Sequence, residues 1–179
     1  MAANPYTAIL KKLAEEGVRY VVVGVTGINF YSDDPGRMIS TEDLDIAVEP
    51  TVVNLLAAFK TLEAQAYRLE INGEPLVGVD RLLAKRIVEH RAAVTARKGN
   101  CLRVDLVLEA GKQSYRAWEK SSRIFKLRGC KVRVGELGDL LRAKEYAGRE
   151  KDRKFLALYG VQIKEMLGGA GASKGGRRP

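Results

Sequence analysis

Between Asp43 and Val48 the sequence reads DLDIAV, and between Arg103 and Leu108 it reads RVDLVL. In both stretches the carboxylates fall out of step with the apolar residues: Leu44, Ile46 and Val48 alternate with Asp43 and Asp45, and Val104, Leu106 and Leu108 alternate with Asp105. Strand side chains point to opposite faces in turn, so this period of two predicts two half-buried strands with their aspartates on the non-apolar face. If the strands are neighbours, three carboxylates converge on one spot. Clustered anions raise one another's pKa unless a cation neutralises them, and hard oxygen ligands suit Mg2+ or Mn2+. A D-x-D pair alone serves as well to solvate an exposed sheet face. The metal reading therefore rests on Asp43, Asp45 and Asp105 together.

Upstream lies VVVGVTG, residues 21–27. A β-branched run that breaks at Gly24 and Gly27 predicts a strand ending in a tight turn, where backbone N–H groups can approach phosphate oxygens and Thr26 adds a hydroxyl. Around it the periodicities alternate between helix and strand. Pro5 to Glu16 predicts a helix, Thr51 caps another carrying Val52, Leu55, Leu56, Phe59 and Leu62, and Asp80 to Glu89 predicts a third. Residues 92–109 predict two strands around a turn at Lys98-Gly99-Asn100. A short helix near Ser114 to Glu119 precedes two short strands in RIFKLRGCKVRVG, and two helices, about Gly138 to Ala147 and Glu150 to Leu167, close the chain. Strands mixed with helices in this order predict an α+β domain, a mixed sheet flanked by helices.

The 179 residues predict one domain over 1–167 and a disordered, Gly-rich basic tail over 168–179. A formal charge of +9 favours an anionic partner, nucleotide or nucleic acid. No apolar run approaches the roughly 20 residues of a membrane span, and the N-terminus lacks the layout of a secretory signal, so the expected location is the cytoplasm. Cys101, Cys130 and the single histidine, His90, give no zinc-ligand spacing. His90 is expected at an exposed helix end, and Trp118 in part of the core.

On the closing helices, Lys144 shares a face with Leu137, Leu140 and Leu141, and Asp152 precedes Phe155, Leu156 and Tyr159 in the same way. Charges on apolar stripes need a reason. Either Lys144 and Asp152 pair to fasten the helices, or Lys144 reaches a nucleotide phosphate with Asp152 orienting it.

Gly24, then Thr41, Asp43 and Asp45, then Asp105 in an apolar strand, then Lys144, Arg149 and Asp152 resemble the pattern of the nucleotidyltransferase superfamily that includes DNA polymerase beta. The likeness is to its small prokaryotic form, related to the abortive-infection nucleotidyltransferase toxins, and covers roughly residues 8 to 160. It implies transfer of a nucleoside monophosphate from an NTP to an acceptor hydroxyl, on RNA such as tRNA or on a protein. It also implies Asp43, Asp45 and Asp105 as catalytic metal ligands, Asp105 as acceptor of the hydroxyl proton, and Gly24, Thr26, Lys144 and Arg149 as nucleotide contacts. Valine at position 25, where the family has glycine or serine, keeps open a member that binds a nucleotide or partner protein without turnover. Carboxylates with basic charge keep open a metal-dependent nuclease.

Overall fold

Tyr20–Val23 (β1), a tyrosine followed by three β-branched valines, is buried along its whole length in the interior of an eight-stranded sheet. The computed structural model describes residues 6–99 and 102–172, so the expected turn at residues 98–100 lies partly outside the described residues. Before β1 comes α1 (Thr7–Glu15), and directly after it α2 (Gly24–Asn29). Next come β2 (Asp43–Val48) and α3 (Val52–Ala64), the latter capped by Thr51, whose hydroxyl accepts from Asn54 N–H. Then follow β3 (Arg68–Ile71), β4 (Glu74–Pro75) and α4 (Arg81–Glu89), with Asp80 as its cap. The hairpin of β5 (Val94–Lys98) and β6 (Leu102–Val107) precedes a second, minimal hairpin, β7 (Glu109–Ala110) and β8 (Gln113–Ser114). The chain ends through α5 (Tyr115–Ser121), β9 (Arg123–Leu127), β10 (Cys130–Val134), α6 (Leu137–Ala147) and α7 (Glu150–Ala172).

The sheet runs β4-β3-β5-β6-β2-β1-β10-β9 and is mixed: β2 pairs with β6 and β1 with β10 in parallel, and the other neighbours are antiparallel. One face takes the apolar residues of the alternating strands. Leu44, Ile46, Val48, Val104 and Leu106 join Leu10 and Leu13 of α1 and Leu55, Phe59 and Leu62 of α3 in a first core. The other face is covered over only part of its width. Val21, Val23 and Ala47 pack there against Tyr115 and Trp118 of α5, Leu137, Leu140 and Leu141 of α6 and Ile163 of α7, a second core. Trp118 is wholly buried, more than its expected partial burial, with its indole N–H donating to the Ala110 carbonyl at 3.1 Å.

The α+β arrangement and its order agree with the expectation, and β3, β4, β7 and β8 are added to it. Helix α7 continues past the boundary expected at Leu167 as far as Ala172, and residues 173–179 of the expected tail lie outside the described residues. Among the described residues no helix is long and apolar enough to cross a membrane.

Candidate metal centre

The parallel pairing of β2 with β6 sets Asp45 directly beside Asp105, with Asp43 opposite Arg103 one pleat away. Because both strands commit their even-numbered residues to the first core, all three aspartates emerge on the other face. One oxygen from each of Asp43, Asp45 and Asp105 lies within 4.8 Å of the others. Three hard donors at this separation, drawn from two rigid strands, fit a divalent cation. The electrostatics agree. Burial first, then the charges of Asp43 and Asp105, push the Asp45 carboxyl up from the usual 3.8 to about 6.

Two of the carboxylates, Asp43 and Asp105, have partners holding them in place. The Thr41 hydroxyl donates to Asp43 Oδ1 at 2.7 Å. Asp105 accepts from the Thr95 hydroxyl at 2.7 Å and is gripped by Arg103, whose Nε lies 3.0 Å from Oδ1 and Nη2 2.8 Å from Oδ2. Arg103 and Thr95 were not among the expected site residues. The signal for Arg103 was present, since it stands two residues before Asp105 and shares its parity; Thr95 becomes visible only once β5 is known to lie against β6.

Gly24 meets Asp45 at closest quarters. Its φ of +65° belongs to the left-handed region, and a Cβ built on it would stand 2.1 Å from Asp45 Oδ2. The sharp exit of β1 and the position of Asp45 therefore share one requirement. Thr26 is brought near but turned inward. Its buried hydroxyl donates to the Asp43 carbonyl at 2.9 Å, tying α2 to the start of β2, so the donor expected to meet a phosphate is already used. Val25 packs against the second core.

A cleft of about 370 Å3 opens beside Asp45 and Gly24, and its far side carries Lys144, Arg149 and Asp152. Asp152 is fully buried, 0% exposed, between two cations: Lys144 Nζ is 3.3 Å from Oδ1 and Arg149 Nε 2.6 Å from Oδ2. Burial raises its pKa, but the Arg149 hydrogen bond and the charge of Lys144 outweigh that and hold it below the usual carboxylate value. The Lys144 ammonium also sits 4.8 Å from the centre of the Phe155 ring. Both explanations of the lysine are thus compatible: it pairs with Asp152 and it faces the cleft.

No family model matches the sequence, and no curated protein is significantly similar to it. Among solved structures, the chain is similar to an antigenic nucleotidyltransferase-like protein from Paracoccidioides brasiliensis, with 17% identity, a TM-score of 0.47, and 90% of this chain and 71% of that one covered. It is similar also to JHP933 from Helicobacter pylori, with 14% identity, a TM-score of 0.45, and 92% and 70% covered.

Proposed function

We propose that the protein transfers a nucleoside monophosphate from an NTP to an acceptor hydroxyl, with pyrophosphate as the leaving group. The observation that carries this is the convergence of Asp43, Asp45 and Asp105 at the edge of a cleft whose other wall presents Lys144 and Arg149. The motif resemblance carried by Gly24, Thr41, the three aspartates and Lys144 supports the same reading. A divalent ion, Mg2+ or Mn2+, held by the three carboxylates would supply Lewis acidity at the transferred phosphorus and lower the acceptor's pKa.

The chain's own groups do the rest. Lys144 and Arg149 take the polyphosphate as charge-assisted donors, prepositioned by Asp152. Gly24 gives the phosphates room beside Asp45. Arg103 and Thr95 fix the rotamer of Asp105, and Thr41 that of Asp43, so the carboxylates do not have to be ordered during the reaction. The acceptor oxygen forms its bond to the α-phosphorus as the bond to the bridging oxygen breaks, and its proton passes to Asp105 or to water.

A second reading, nucleotide binding without turnover, is favoured by one observation: Arg103 already grips both oxygens of Asp105. Titration calorimetry with Mg2+ and each NTP, followed by measurement of released pyrophosphate and of label transferred from an α-labelled NTP to RNA or protein, separates the two. Saturable binding with pyrophosphate release supports transfer. Binding without release supports the second reading, and cleavage of nucleic acid without NTP would replace both by a nuclease.

A further inference from the structure

The register of the sheet aligns four charged positions in a row across the carboxylate face. Asp43 pairs with Arg103, Arg103 with Arg97, and Arg97 with Arg68, so three arginines on β6, β5 and β3 lead from the aspartates toward the edge of the sheet. Their neighbours Leu69, Ala96 and Val104 enter the first core, which leaves the arginines on the opposite face. Among the described residues the second core takes no side chain from β3 or β5, and Arg68 and Arg97 are exposed. The side chains of Arg97 and Arg103 are 48% and 41% exposed, so both guanidiniums reach solvent while paired with Glu70 and Asp105. Arg68 has no carboxylate within ion-pair distance among the described residues.

Like charges directly opposite one another on neighbouring strands destabilise a sheet. Here the arrangement occurs twice in succession, Arg68 against Arg97 and Arg97 against Arg103, on an open part of a face whose middle is packed under helices, and it is the open part that adjoins the aspartates. Strands lie about 4.8 Å apart, so the row extends on the order of 15 Å from Asp43 to Arg68. An extended polyanion matches that line. No aromatic residue of β3, β5 or β6 shares the face, so contacts would go to phosphates and not to stacked bases.

From this we infer that the acceptor is single-stranded nucleic acid, laid across β3, β5 and β6 with its phosphates on Arg68, Arg97 and Arg103 and its terminal hydroxyl at the aspartate cluster. The inference rests on the transfer reading for the role of that hydroxyl; the binding track stands on its own. Recognition is independent of base sequence, and a duplex is a poorer ligand than a single strand because a flat row of guanidiniums follows one backbone.

The test is fluorescence anisotropy of an end-labelled, mixed-sequence single-stranded RNA, without NTP or metal, over a range of salt. Each phosphate contact to a single strand contributes about 0.7 to the slope of log K against log salt, so Arg68→Ala/Arg97→Ala should lose about 1.4 of that slope and weaken binding at least about tenfold at low salt. Arg68→Gln, which disturbs no ion pair, should show half the change in slope. Arg81→Gln/Arg86→Gln, on exposed positions of α4 across the sheet, should bind as the unaltered chain does. NTP binding, read by calorimetry on the same variants, should stay unchanged. RNA binding through the arginines in a chain that binds no NTP would defeat the transfer reading and leave the track standing. Absent RNA binding or equal loss in the α4 control would overturn the track, and label transfer to a protein hydroxyl with Arg68→Ala/Arg97→Ala fully active would overturn the assignment of nucleic acid as the acceptor.

Discussion

At the scale of single residues the site is governed by Asp45, which burial and two neighbouring carboxylates hold at about 6 in place of 3.8. The sign of the consequence follows from linkage. Between those two values the folded chain keeps a proton that the unfolded chain has released, so stability falls as pH rises through that window. The full effect is on the order of 3 kcal/mol. Denaturant unfolding in chelator should show this decline; Asp45→Asn should flatten it, melt no lower than the unaltered chain above pH ~6 and bind Mg2+ weakly. A variant that fails to fold would make the carboxylate structural. Gly24→Ala acts on the same atom from the other side. With φ at +65° and the new methyl overlapping Asp45 Oδ2, it should cost about 1 to 3 kcal/mol in stability and displace the aspartate. Metal affinity measured by calorimetry should fall more than Asp43 or Asp105 alone would explain.

At the scale of elements the decisive pair is α6 and α7. Since Arg149 remains to pair with Asp152, Lys144→Met should cost well under 3 kcal/mol, while Lys144→Met/Arg149→Met strands a buried carboxylate and should cost about 3 to 5 kcal/mol. Adding Asp152→Leu to that double change should restore most of the loss. Thermal melts check the order, and NTP affinity should drop in every variant lacking Lys144. Asp152 also has the opposite pH sign to Asp45: its lowered pKa gives stability above the ordinary carboxylate range that disappears on acidification. The strands that carry the aspartates were legible because period two fixes a face regardless of partners. Their adjacency was not, because β2 and β6 pair in parallel across more than fifty intervening positions and no local pattern encodes such a pairing. The inward turn of Thr26 was hidden for the same reason, as its acceptor is a carbonyl on another element.

For the whole molecule the sheet is a plate with unequal sides. One side is packed from β9 to β3, and the other is packed only where α2, α5, α6 and α7 lie. Ile163, wholly buried on α7, ties that long helix to the second core, so Ile163→Ala should cost about 2 to 5 kcal/mol and loosen the Lys144 wall. A melting shift accompanied by weaker NTP binding would register both effects; a shift without the second would uncouple the helix from the cleft. Composition and helical periodicity made the number and order of the long helices readable. They gave no account of which part of the sheet would be left bare.

The aspartates stand at the border between the packed and bare parts of that side, with cations of the helical wall to one hand and the arginine row to the other. Two ligands reaching such a border come from different quarters and do not block each other's path. On the proposed reaction neither has to arrive first: initial-rate lines at fixed acceptor should intersect and not run parallel, and pyrophosphate should compete with the nucleotide while leaving room for the acceptor.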